Sequence, residues 1–78
     1  MSTRKLSNVS LKDYLLFLEK IGCKQHRSKG GHLIFVRKDL ARPIVVQSHI
    51  DPVPEFIVRN ALRALGIQKK DFFKILKS

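Results

Sequence analysis

The sequence predicts an α+β fold of order α-β-β-β-α, a three-stranded antiparallel sheet packed on two helices, with a short extra C-terminal helix. Apolar residues recur at helical spacing from Leu11 to Ile21 and again after Pro54. The stretch between them breaks into short β-branched and aromatic runs separated by glycine and proline. The chain has 78 residues, enough to enclose one core and not two. Residues 1–78 are therefore read as a single domain, with residues 1–9 a polar lead-in.

The lead-in carries Arg4 and Lys5 and is expected to be partly mobile. A helix is expected from Leu11 to Ile21, with Ser10 as its N-cap and Asp13 three residues on in a variant capping box. Leu11, Leu15 and Leu18 share a face that Tyr14 and Ile21 extend, and Gly22 suits the left-handed position just past the helix. Cys23 to Phe35 reads as two strands around the turn residues Ser28, Lys29, Gly30 and Gly31, with Leu33 to Val36 as the apolar run. After a linker at Asp39 to Arg42, Pro43 to Gln47 forms the third strand, with Pro43 at its start, where a missing N–H does no harm. A loop at Ile50 to Val53 is punctuated by Pro52. Pro54 opens the second helix, and Glu55 complements the positive end of its dipole. That helix runs to about Leu65, buries Ile57, Ala61, Leu62 and Leu65, and stops at Gly66. The last helix, about Lys69 to Leu76, carries Phe72, Phe73, Ile75 and Leu76, with Lys70, Lys74 and Lys77 outward. Phe17 and Phe35 are further core residues. Short connections favour a meander whose one face is covered by both main helices, the architecture of a double-stranded-RNA-binding-like (dsRBD-like) domain.

Sixteen Lys and Arg stand against six Asp and Glu, a formal charge of +10. Solubility alone asks only about 2–8 charges of a small domain. The excess points to a polyanionic partner. A membrane is the weaker choice, because the longest apolar run, Tyr14 to Leu18, is far short of the ~20 residues of a spanning helix. The single cysteine, Cys23, excludes an intrachain disulfide and reads as a small apolar filler, with cytoplasm the expected compartment.

Lys20 to Lys38 is the informative stretch. It holds Lys20, Lys24, Arg27, Lys29, Arg37 and Lys38, no acid, and two histidines, His26 and His32. Gly30 and Gly31 let backbone approach a phosphate closely, and Arg27, Lys29 and Arg37 neutralise its charge. Histidine exchanges a proton near neutral pH. RNA brings its own nucleophile, the 2′-hydroxyl. A base for that hydroxyl, an acid for the 5′-oxygen and positive charge for the phosphorane suffice, and no metal or other cofactor is required. His32 is the candidate catalytic residue, and His49 and His26 are candidates for the second proton-transfer group. His26 shares a face with His32 only if the hairpin register allows it. No spacing typical of zinc ligands is present. Arg59 and Arg63, four residues apart on the second helix, form either a solvated face or a further phosphate contact.

Gly22, Lys29-Gly30-Gly31-His32 and Phe35, followed by Ile44-Val45-Val46-Gln47-Ser48-His49, Leu62-Arg63-Ala64-Leu65-Gly66 and Phe72, resemble the HicA family in order and spacing. The resemblance covers about Leu11 to Phe73. It implies a dsRBD-like fold and an mRNA interferase, the toxin of a type II toxin–antitoxin pair, that cleaves mRNA and arrests growth. It places the essential histidine at His32. It also implies a HicB-type antitoxin that masks the toxin, so this chain is expected to meet DNA only through the antitoxin complex. Two positions depart from the family pattern. Gln47 stands where proline is frequent, and Glu55-Phe56-Ile57 stands where a Lys-Gly-Thr-like segment often opens the second helix. Glu55 would repel a phosphate that glycine and threonine could bind there. The same basic surface would also serve a non-catalytic RNA-binding module, or an interaction domain for an acidic protein.

Overall fold

A computed structural model describes residues 6–77. The first helix, α1 (Leu11–Lys20), starts where two side chains satisfy its free amides. Ser10 Oγ accepts from the Asp13 N–H at 3.1 Å, and Asp51 Oδ1 accepts from the Leu11 N–H at 2.9 Å. Its end is closed by Gly22, at φ +91°, and by the Cys23 N–H donating to the Leu18 carbonyl at 2.9 Å. The buried face is centred on Tyr14, Phe17 and Leu18, with Leu11, Leu15 and Ile21 at its margins. The stripe is therefore rotated from the leucine row expected from periodicity. The last helix supplies the reason, since it covers a flank of α1 that the sheet and second helix leave open.

Three strands follow: β1 (Lys24–Lys29), β2 (His32–Val36) and β3 (Ile44–Gln47), antiparallel in the order β1-β2-β3. Gly30 and Gly31 alone form the turn between β1 and β2, at φ +55° and +83°. These values belong to the left-handed tight turn that matches strand twist, so Ser28 and Lys29 extend the strand instead of the loop. Phe35, Ile44 and Val46 face the helices and are buried, while Val36 and Val45 on the opposite face are exposed.

The second helix, α2 (Glu55–Leu65), begins after Pro54, which is extended at ψ 141° and flanks the helix without entering it. It buries Val58, Ala61 and Leu62, one step round from the expected stripe, with Ile57 and Leu65 half-buried. It stops at Gly66, φ +70°, where the Ile67 N–H donates to the Leu62 carbonyl at 2.9 Å. The third helix, α3 (Lys69–Lys77), packs on α1 through Phe72, whose ring meets Phe17 edge-on at 4.6 Å. Lys20 Nζ donates to the carbonyls of Ile75 and Leu76, both at 3.2 Å, and so ties the two helix ends together.

The end of the lead-in is part of the core, which corrects the expectation of a polar, partly mobile segment. Leu6 and Val9 are buried, and the Val53 N–H donates to the Val9 carbonyl at 2.8 Å. Burial of these two apolar side chains outweighs the polar composition around them. Arg4 and Lys5 lie outside the described residues.

Candidate functional site

The helices cover one face of the sheet, and the other carries its charge. Lys29 and His32 flank the diglycine turn and oppose each other across it. One step along, Arg27 opposes Ile34 on the same face. β1 then carries one extra residue, a bulge between Gln25 and Arg27, before Gln25 opposes Phe35 and Lys24 opposes Val36. The bulge has a consequence for charge. Uninterrupted alternation would turn Lys24 to the helix side, and the extra residue returns it to the open face beside Arg27 and Lys29. No residue of the three strands is acidic.

His32 is exposed at the start of β2, opposite Gln47 on β3. The chain leaving β3 folds back over the turn. The Ser48 N–H and Ser48 Oγ both donate to the Gly31 carbonyl, at 2.8 and 2.9 Å. The next residue, His49, lies so near that a Cβ on Gly31 would sit 3.4 Å from its Nδ1. The backbone angle at Gly31 is thus one that favours glycine, and a side chain there would stand in van der Waals contact with His49. His49, Gly31, His32 and Lys29 form one corner of the sheet. Two exposed imidazoles beside cationic side chains at a glycine turn can hold an anion and move protons to and from it.

His26 is not brought to that corner. It is the bulge residue, exposed and unpaired in the register, three residues along β1 from Lys29. Arg37 is also elsewhere, beyond the far end of β2. Its Nη2 donates to Asp39 Oδ2 at 2.7 Å and its Nη1 to the Ile21 carbonyl at 2.9 Å. The hydrogen bond raises the guanidinium's pKa and holds the Asp39 carboxyl below its ordinary value. A phosphate at Arg37 would have to compete with Asp39. On α2, Arg59 Nε donates to Glu55 Oε2 at 2.6 Å, whereas Arg63 is exposed. Cys23 is buried, and burial pushes its thiol up against a smaller opposing pull from Arg37.

Ser48 and Asp51 are the structurally engaged residues that sequence reasoning missed. Each makes its bond far along the chain, to Gly31 and Leu11 respectively. The serine immediately before His49 was the one available signal, and its partner depends on strand register. Among the described residues, no three His, Cys, Asp or Glu side chains gather where they could hold a metal ion, and no helix is long and apolar enough to cross a membrane.

Fold and site together define a small basic α+β domain with a histidine-bearing cationic sheet face. Comparison with known families is specific: the profile of the family described as HicA toxin of bacterial toxin–antitoxin matches residues 12–67. The chain belongs to the HicA toxin family. No curated protein and no solved structure matches it.

Proposed function

We propose that the chain is an endoribonuclease toxin, an mRNA interferase neutralised by a HicB-type antitoxin. The carrying observation is the exposed His32 paired across the diglycine turn with Lys29 and adjoined by His49. In this reading the RNA backbone lies across the open sheet face. Arg27 and Lys29 neutralise the scissile phosphate, and Gly30 and Gly31 let it approach the main chain. One imidazole removes the proton of the 2′-hydroxyl as its oxygen attacks phosphorus. A second imidazole gives a proton to the departing 5′-oxygen, leaving a 2′,3′-cyclic phosphate and a 5′-hydroxyl. His32 takes one of these roles and His49 the other. Membership in the HicA toxin family supports the assignment.

The test is a matched pair of proteins. Native chain and His32→Ala are incubated with end-labelled RNA in EDTA, and each is expressed in growing cells. The native chain is expected to create new RNA ends and stop growth. The variant is expected to unfold at the same temperature, still bind RNA, and do neither. RNA binding without new ends from the native chain would mark a non-catalytic binding module instead. Full cleavage by the variant would remove His32 from the mechanism.

A further inference from the structure

We propose that the free edge of β1 docks an acidic, extended segment of a partner protein, which adds antiparallel to the sheet as a fourth strand and seats an apolar side chain between β1 and α1.

Among the described residues the edge is uncovered. β1 ends the sheet, and all six of its residues are exposed. The helix layer stops short of it. On the helix side, a groove of about 510 Å³ runs between α1 and β1, lined by the apolar Leu15, Cys23 and Phe35 and by the polar Glu19, Lys24 and Gln25. The hydrogen-bond phase of the sheet identifies the free backbone groups. The Gly31 carbonyl accepts from Ser48 on the β3 side, so His32 turns its polar groups the other way, towards Lys29. Ser28, next to Lys29, therefore directs its N–H and C=O away from β2, into open solvent.

A strand laid on that edge alternates faces at each residue. On the open face it meets Lys24, Arg27 and Lys29, with no acid in β1 to answer them. On the helix face it meets the apolar part of the groove beside the exposed Glu19 carboxylate, a place that suits an apolar side chain and repels an acidic one. Acid and apolar side chains in strict alternation satisfy both, and antiparallel pairing continues the sheet's own geometry. Charge argues against a second copy of this chain, since two β1 edges would set cations against cations. An RNA backbone suits the cations but offers nothing to the groove or to a strand's hydrogen-bond ladder. The proposal goes beyond the ribonuclease reading, because it requires no catalysis and no His32. Its occupant would nevertheless compete with RNA for Arg27 and Lys29.

Direction of pairing makes the idea testable with the protein unaltered. Opposite residues of an antiparallel pair share a face, so the occupant's apolar residues are those whose amides bond Ser28. The probe is the labelled heptapeptide Glu-Val-Asp-Leu-Glu-Val-Asp, capped at both ends. The controls are the blocked order Glu-Asp-Glu-Asp-Val-Leu-Val and two N-methylated forms of the probe. Methylating the apolar residues is expected to weaken binding roughly tenfold, from the loss of edge hydrogen bonds, while methylating the acidic residues leaves it unchanged. The blocked peptide should bind roughly tenfold more weakly than the probe, and the Ser28 amide should exchange with deuterium more slowly in the bound state. Equal binding by all four peptides, or no slowing at Ser28, would reduce the attraction to net charge and overturn the proposal. So would slowing of Ser28 by single-stranded RNA and not by the probe.

Discussion

A methyl group at residue 31 would strain the backbone and touch an imidazole. Gly31 sits at φ +83°, where L side chains are strained, and its added carbon would lie in van der Waals contact with His49 Nδ1 at 3.4 Å. Gly30 has only the first constraint, since a Cβ added there would meet nothing within 4 Å. Gly31→Ala and Gly30→Ala are each expected to cost about 1–2 kcal/mol in urea unfolding, and only Gly31→Ala is expected to move the His49 ring resonances. Tyr14 poses the opposite case. It is fully buried, and its hydroxyl has no hydrogen-bond partner among the described residues. Tyr14→Phe removes an unsatisfied polar atom while keeping the ring, so stability should be unchanged or rise by up to about 1 kcal/mol. A loss larger than that would show that the hydroxyl is bonded in solution. Burial, with a smaller contribution from Cys23, pushes this phenol from 10.0 up to about 12. A folded-state pKa above the unfolded one leaves stability intact below pH 10 and removes it as pH rises from 10 through 12. Alkaline titration of unfolding should show this drop in the native chain and a smaller one in the phenylalanine variant.

The elements carry their own predictions. α3 is anchored by Phe72, fully buried and flanked by Phe17 at 4.6 Å and Phe73 at 5.0 Å, with Phe73, Ile75 and Leu76 half-buried against the core. Phe72→Ala is expected to cost about 3–5 kcal/mol, a large share of the total for so small a domain, and thermal unfolding should broaden or begin below room temperature. Survival of a sharp transition near the native midpoint would mean that α3 is dispensable to the core. β1 contributes charge in place of packing. If its cations meet RNA phosphates, Arg27→Gln should weaken binding and lower the slope of log affinity against log salt by about 0.7, with little sequence dependence. An unchanged slope would take Arg27 off the RNA path. Helix ends are readable in the sequence because they are local: Ser10 bonds within its own first turn, and Gly22 and Gly66 supply the left-handed residues. The buried stripes of α1 and α2 each lie about a residue from where periodicity puts them. Periodicity identifies an apolar face, and its centre depends on which neighbours press against it.

Over the whole molecule, composition and pattern are enough for the class of fold, the order of its elements, the basic character of the surface and the family. Each of these follows from the kinds of residue and their spacing along the chain. The three histidines show where that information stops. The sequence marks His32 by the diglycine before it and leaves His26 and His49 as alternatives for a second group. Register separates them. A two-residue turn sets His32 opposite Lys29, a single extra residue in β1 leaves His26 without a partner on β2, and Ser48 folds His49 back over Gly31. Arg37 belongs to the same lesson, since Asp39 and the Ile21 carbonyl occupy its guanidinium. The packing of Leu6 and Val9 into the core likewise depends on Val53, which lies far along the chain. Side chains alternate faces with a period of two in a strand, so one inserted residue reverses everything beyond it. Pairing between distant segments is therefore what groups the residues of the corner, and no local property of the chain encodes it.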